Sequence, residues 1–453
     1  MRRKQAVVLG FYFLLGVVME FPMLALRWWL KDTVGLDIPS IAVLISTASL
    51  PWTIKPVYGL LSDQYPLCGR RRKPYIVLCN LVASALWLVL ATTPPTPHLV
   101  AVLAVAIQTA TCFADVLYDA SMVELSANEN AEDAGSFQTS CWAARALGAV
   151  LAAGGGGVAS SLLPQTTVFK AQALFPLALA LLATCCFDEP KASTRVDGPG
   201  VLATVGRVLR ALREPQLWKP ALFVCVFAST PSSGTAWFYY LVNERGFSPD
   251  TMGALTCVRH GAMFLAALGY RRFCRTRAFR PFFVLLVVTS AALSLTPLLL
   301  IEGLNRTWGI PDVFFVGGDD VFLAALGQVA MMPCLVLAAK LCPEGIEASL
   351  YATFISLLNT SAIGSEFLGA SLTSLLGVSH DNFEGLPRLV VICAATSLLP
   401  LLFVPLLPPG NVGALARGPQ DEEDETALLE ETDDPSPRVK DAMQPFEVEC
   451  ASV

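Results

Sequence analysis

The chain has 453 residues, of which 54% are hydrophobic and only 15% charged, with a mean hydropathy of +0.57. Ordinary soluble domains carry about 25% charged residues, so the polar surface needed to cover two or three such domains is missing. This excludes a soluble enzyme, a disordered chain and a nucleic-acid binder, and leaves an all-α, polytopic membrane protein. The formal net charge of −6 sits largely in an acidic C-terminal stretch.

A spanning helix needs about 20 mostly apolar residues. In chain order the apolar runs predict twelve spans: 7–30, 40–62, 75–94, 98–125, 137–161 and 169–188, then 218–242, 250–270, 281–302, 320–341, 347–376 and 387–408. Arg2-Arg3-Lys4 leads straight into a first span too long for the core of a cleavable signal peptide. Short polar punctuation, such as Pro94-Pro95-Thr96-Pro97 and Ser248-Pro249-Asp250, joins the spans.

Lys and Arg set the orientation. One set of loops holds Arg70-Arg71-Arg72-Lys73, six basic residues from Lys191 to Lys219 and five from Arg271 to Arg280. The other holds only scattered ones: Lys31, Lys170, Arg245, Arg306 and Arg388. The bias predicts both termini in the cytosol. It puts the sequon Asn305-Arg306-Thr307 outside, as a candidate glycosylation site.

The segment 189–217 divides the spans into an N-terminal bundle (1–188) and a C-terminal bundle (218–408). Its apolar residues recur at helical spacing with Arg207, Arg210 and Arg213 between them, which predicts an amphipathic helix on the inner membrane surface. The two bundles also echo one another. Trp28-Trp29-Leu30-Lys31 followed by Gly35 and Pro39 parallels Tyr239-Tyr240-Leu241-Val242 followed by Gly246 and Pro249, as expected of two parallel repeats.

A charge at mid-membrane costs roughly 2.5–3.5 kcal/mol on insertion scales and therefore faces a partner or a cavity. The candidates are Glu20, Lys55, Asp115, Asp119, Arg145, Arg259 and Glu366. Asp115 and Asp119 are four apart and share a helix face, with Lys55 and Arg145 available as cations. Such charges either lock helices together as buried pairs or line a polar path that carries substrate and protons. Arg27, near a span end, is expected to snorkel outward. Trp28, Trp29, Trp52, Trp142 and Trp237-Phe238-Tyr239-Tyr240 lie near the same helices. They would form an interfacial belt or offer faces on which a flat heterocycle stacks. Gly154-Gly155-Gly156-Gly157 would let a neighbouring backbone approach closely or let span 5 bend.

The thirteen cysteines lie mostly singly in apolar runs, without a CxxC pair, and the chain has three histidines. Neither a metal nor another cofactor is expected.

Between spans 2 and 3 the chain reads Gly59-Leu60-Leu61-Ser62-Asp63, then Gly69-Arg70-Arg71-Arg72-Lys73. This resembles the signature loop of the major facilitator superfamily. The resemblance implies that Asp63 latches one conformation by accepting from helix N-termini or cations, with Arg70, Arg71 and Arg72 anchoring at headgroups. The corresponding loop after span 8, from Gly269, keeps basic residues but lacks the Asp.

More specific stretches are similar to the folate–biopterin transporter family. They are Trp52-Thr53-Ile54-Lys55-Pro56-Val57-Tyr58-Gly59, Ala114-Asp115-Val116-Leu117-Tyr118-Asp119-Ala120 with Glu124, and Gly135-Ser136-Phe137-Gln138-Thr139-Ser140-Cys141-Trp142. Pro343-Glu344-Gly345-Ile346-Glu347-Ala348 and Asn359 follow later, so the resemblance runs from about 10 to 405. It implies the major facilitator fold and a secondary transporter of pterin-like anions, coupled to protons and working by alternating access. The matching charged sites are Lys55, Asp115, Asp119 and Arg145. With Trp52, Trp142 and Arg259 these make the expected substrate site, and Glu20, Asp115, Asp119 and Glu366 the expected proton carriers. The alternatives are a carrier of another solute (S-adenosylmethionine, a nucleoside-like compound or an amino acid) and a non-transporting sensor or scaffold.

From 409 to 453 the chain turns polar and acidic, a disordered cytosolic tail. Asp424 with Leu428-Leu429 matches an acidic dileucine pattern read by sorting adaptors. The expected location is the plasma membrane, with a lysosome- or vacuole-like membrane as the alternative.

Overall fold

The computed structural model describes residues 2–126, 136–190, 206, 210, 213–273, 278–340 and 347–408. The expected amphipathic helix within 189–217 lies almost wholly outside them. So do Pro343 through Ile346 and the tail with Asp424, Leu428 and Leu429. The described chain is almost all helix, with an isolated bridge between Leu67 and Arg70.

Ten helical segments are long and apolar enough to cross a membrane. Spans 7 and 11 complete the twelve, and each misses that test for its own reason. Span 7 is broken into Pro215–Ala228 and Gly234–Asn243, with Ser229-Thr230-Pro231-Ser232-Ser233 between. Span 11 is one helix, Glu347–Leu375, with Ser356, Asn359, Thr360, Ser361, Ser365 and Glu366 diluting its apolar character.

Four more spans are interrupted, among them span 9 (Phe279–Leu293 and Pro297–Ile301) and span 12 (Leu386–Thr396 and a 3-10 turn over Leu399–Leu406). Span 1 is Arg2–Glu20 and Met23–Asp32, with Pro22 at the joint. Span 2 is Ile38–Ala48 and Lys55–Gln64, joined by a 3-10 turn over Leu50–Ile54 that contains Pro51. Proline lacks an N–H and clashes with the preceding turn, so each break leaves backbone carbonyls without helical donors. No water satisfies them in lipid; neighbouring side chains must. Span 11 supplies two of those donors. Asn359 Nδ2 donates to the Trp52 carbonyl at 3.2 Å and Ser365 Oγ to the Thr230 carbonyl at 2.5 Å. That accounts for its polarity.

The repeat expected from the aromatic pairs exists in the backbone. The N–H groups of Thr33 and Val34 bond to the Trp29 carbonyl and that of Leu36 to Leu30. One repeat later, Glu244 and Arg245 bond to Tyr240 and Phe247 to Leu241. Gly35 (φ 74°) and Gly246 (φ 69°) occupy the left-handed position such helix ends require.

The loops define a basic end, with residues 65–72, and a charge-poor end, with residues 33–37 and 244–248. At the charge-poor end both bundles share one apolar cluster, in which Trp29, Leu30, Ile41 and Phe169 meet Phe238, Tyr239, Leu241 and Leu386. Towards the basic end they keep separate ones: Phe11, Tyr12, Ile76, Tyr118 and Phe187 in the first bundle, Phe223, Phe279, Phe283 and Val404 in the second. Among the described residues the bundles are thus sealed at the charge-poor end. A Cβ on Gly157 of span 5 would lie 2.8 Å from the Gly253 Cα of span 8, so this contact is backbone on backbone. Gly156 likewise abuts Phe21, while Gly154 and Gly155 touch nothing within 4 Å.

Candidate functional site

Four charges converge inside the first bundle. The 3-10 turn of span 2 delivers Lys55 at the first residue of the next helix. Span 4 (Pro97–Ser126) presents Asp115 and Asp119 one turn apart. Span 5 (Ser136–Leu162) presents Arg145, and Gly16 and Gly148 let its backbone press against span 1 at that level. Lys55 Nζ donates to Asp115 Oδ2 at 2.6 Å and lies 3.5 Å from Asp119 Oδ2. Arg145 Nη1 stands 3.6 Å from Asp115 Oδ1, too far for a hydrogen bond, and that buried oxygen has no donor. The Tyr12 hydroxyl donates to Asp119 Oδ1 at 2.6 Å. Asp115 is fully buried, whereas the Asp119 side chain is 36% exposed.

Two cations and two carboxylates balance, which lowers the cost of holding them in lipid. Indoles border the group. Lys55 Nζ sits 5.2 Å from the Trp52 ring centroid and the Arg145 guanidinium 5.4 Å from that of Trp142. Trp52 Nε1 donates to Gln108 Oε1 at 3.2 Å. Trp142 is 46% exposed, a free face beside a cation.

A family model described as the BT1 family matches residues 15–423. The chain belongs to the BT1 family. A relative described as a folate-biopterin transporter, from Synechocystis sp. (strain ATCC 27184 / PCC 6803 / Kazusa), is 36% identical over 97% of this chain and 87% of its own. Among solved structures, the nucleoside transporter NupG superposes with a TM-score of 0.66 at 12% identity, covering 90% of this chain and 99% of that one. A D-xylose-proton symporter gives 0.65 at 12%, covering 88% and 97%. At such identities these share the fold alone, the major facilitator fold of two six-helix bundles. This BT1 family member is a multi-pass membrane transporter and not an enzyme.

The other expected site residues are distributed differently. Glu20 lies between the bundles, its Oε1 3.2 Å from His260 Nε2 of span 8. Arg259, next to His260, is exposed and forms no ion pair among the described residues, though it is within electrostatic reach of Glu20 and Asp320. Glu366 accepts a long bond, 3.4 Å, from the Thr235 hydroxyl. Arg27 does not snorkel outward. Its guanidinium lies 4.7 Å over the Phe238 ring of the second bundle, and the Tyr239 hydroxyl donates to its carbonyl at 2.8 Å. Trp28 and Trp29 are not a belt either. They pack edge-on against Phe238 and Phe169 in the seal.

In the signature loop Asp63 keeps Arg71 and Arg72 within electrostatic reach, but the hydrogen bonds go elsewhere. Asp63 is exposed and accepts no hydrogen bond among the described residues. The helix N-terminus after the loop is held by Glu189 instead, whose carboxylate accepts from the backbone N–H groups of Arg71 (3.1 Å), Arg72 (3.0 Å) and Lys73 (2.7 Å). An anion there satisfies orphan donors and the helix dipole together. Arg72 turns to Glu124 at 2.5 Å and to the Ala120 carbonyl at 2.9 Å. Arg70 lines the surface groove beside Lys73, and the Arg71 Nε is buried without a partner. Glu189→Ala therefore lowers stability by about 1.5–3 kcal/mol, the range for hydrogen bonds to a charged group. Asp63→Ala stays within about 0.5 kcal/mol, as exposed substitutions do. Thermal unfolding in detergent distinguishes the two.

Asn305 is also corrected. It is fully buried, and its Nδ2, where a glycan would attach, donates to the Ile310 carbonyl (3.0 Å) and Asp312 (2.8 Å). The folded chain has no room for a sugar there. Asp312 also binds Arg306 at 2.6 Å, and this bond raises the Arg306 pKa.

Sequence reasoning missed three acidic groups and a histidine. Span 10 begins at Asp312 rather than near 320, so Asp319 and Asp320 lie two turns inside it, Asp319 accepting from the Thr296 hydroxyl. Gly317-Gly318-Asp319-Asp320 reads as a turn, which hid them. Glu189 sat in what reads as the start of a linker. His260 escaped because a neutral imidazole carries no fixed charge to flag.

Proposed function

We propose that this transporter carries folate- or pterin-type organic anions by alternating access, coupled to protons, with both termini cytosolic and the plasma membrane as its site. The buried Lys55–Asp115–Arg145 group between Trp52 and Trp142 carries this reading, and the 36% identical folate-biopterin transporter supports it. A pterin offers what the group lacks. Its ring stacks on an indole face. Its amino and ring N–H edge donates to a carboxylate, and Asp115 Oδ1 has no donor. Its ring carbonyl, beside that N–H edge, accepts from Arg145, which stands 3.6 Å from Asp115. Asp119, more exposed than Asp115 and bonded to Tyr12, is the carboxylate of the pair that can take a proton from solvent. Glu20 and Glu366 are the further proton carriers. Arg259 reaches the path from the second bundle.

With the charge-poor end outside, the sealed geometry is the inward-facing state. The two bundles separate where their apolar clusters are already distinct.

Uptake of radiolabelled folic acid, biopterin and S-adenosylmethionine in a transport-deficient host, at acid and at neutral external pH, tests the reading. The expected result is saturable pterin or folate uptake stimulated by acid. Uptake of S-adenosylmethionine that neither folate nor biopterin inhibits would refute the substrate class.

A further inference from the structure

The bundles meet at mid-depth through a pair that neither the substrate group nor the seal uses. Glu20 ends the first half of span 1, immediately before the Pro22 break. His260 lies halfway along Pro249–Phe273. Their side chains are 24% and 16% exposed, and His260 Nε2 is 3.2 Å from Glu20 Oε1. The ring nitrogen is not aligned for a hydrogen bond, and being buried it has no other partner. The contact is therefore electrostatic, and its strength depends on whether the imidazole carries a proton.

The charged groups facing the pair come from four further places, Arg27 in the second half of span 1 being one of them. Arg259 is on the same helix as His260, Asp320 comes from span 10, and Arg145 faces Glu20 from span 5. Arg145 is already matched by Asp115.

We propose that His260, held against Glu20 across the boundary between the bundles, is the proton site that couples proton movement to the exchange of conformations. The inference rests on the proton-coupled reading above and names the group responsible. A proton from water on the charge-poor side binds the imidazole while the bundles are apart there. The imidazolium then pairs with the Glu20 carboxylate as the seal closes. The proton returns to water at the basic end, leaving the neutral imidazole. No other bond forms or breaks.

The test uses the full chain in proteoliposomes with tritiated folic acid, measured two ways: accumulation driven by an imposed proton gradient, and counterflow exchange with no gradient. The variants are His260→Gln, which cannot be protonated, and His260→Arg, which keeps the charge permanently. Wild type is expected to accumulate substrate. Both variants are expected to lose accumulation about tenfold, within the ~5–150-fold range of coupling between two sites, yet still to exchange. Variants that accumulate like wild type overturn the inference and leave proton coupling standing on a carboxylate such as Asp119. Wild type that exchanges but never accumulates overturns the coupled reading and this inference with it. Loss of exchange in both variants makes His260 a structural residue and overturns the inference.

Discussion

Asp115→Asn abolishes uptake and destabilises the protein, and adding Lys55→Met restores the stability but not the uptake. The Lys55 ammonium is almost buried and donates to Asp115 at 2.6 Å. Removing the carboxylate leaves a cation in a low-dielectric interior, which costs about 3–5 kcal/mol when a buried pair is broken. Asp119, 3.5 Å away, recovers part of this, so the low end of that range is expected. Lys55→Met alone is equally harmful because Asp115 then has only Arg145, at 3.6 Å. Taking out both charges replaces an ion pair by an amide and a thioether of similar volume, which is often neutral or stabilising. If the pair only braces helices, the double variant regains transport. If it binds substrate, transport stays lost while the melting temperature returns. Thermal unfolding in detergent and folate uptake, run on the same four proteins, separate these outcomes.

Gly157→Ala and Gly253→Ala open the seal, whereas Gly154→Ala and Gly155→Ala do nothing. The added Cβ at 157 would stand 2.8 Å from the Gly253 Cα and 3.0 Å from the Pro249 carbonyl, and backbone cannot rotate away as a side chain can. Overpacking of this kind costs roughly 1–3 kcal/mol. The cost falls only on the conformation in which spans 5 and 8 touch. At 1.4 kcal/mol per factor of ten, the sealed state loses roughly 5–150-fold in population. A short bifunctional thiol cross-linker between cysteines introduced at Lys31 and Asn243, whose side chains bond across the seal at 2.5 Å, reports the change in a background cleared of native cysteines. Undiminished cross-linking in Gly157→Ala would show that the contact is not limiting.

Much of this architecture was legible because lipid punishes charge. Hydropathy located the continuous spans to within a few residues, except the start of span 10, where Asp312, Asp319 and Asp320 masked eight helical residues. The cost of burying ions selected Lys55, Asp115, Asp119 and Arg145, and the structure brings all four within a few ångströms of one another. Illegibility had equally physical roots. The breaks at Pro22, Pro51 and Pro231 interrupt helical bonding, and the side chains of span 11 that serve two of them are distant in sequence. His260 and Asp320 matter through neighbours from other spans, which linear spacing does not show. The signature loop suggested a carboxylate at its own Asp63, but the helix it had to cap was reached from the end of span 6. The three roles assigned to Glu20, Glu366 and Arg259 depend on motion between bundles, which a pattern of residues does not encode.

The polar face of span 11 serves both bundles. Its Ser365 holds a carbonyl of its own bundle, and its Asn359 holds that of Trp52 in the other. When the bundles part, the first bond travels with them and the second does not. The Trp52 carbonyl then loses its amide donor beside an ammonium ion, and a solvent molecule must move in to replace it. Opening is thus also an act of hydration at the centre of the membrane. Solutes too large to enter, which draw water out of narrow spaces, should hold the carrier shut.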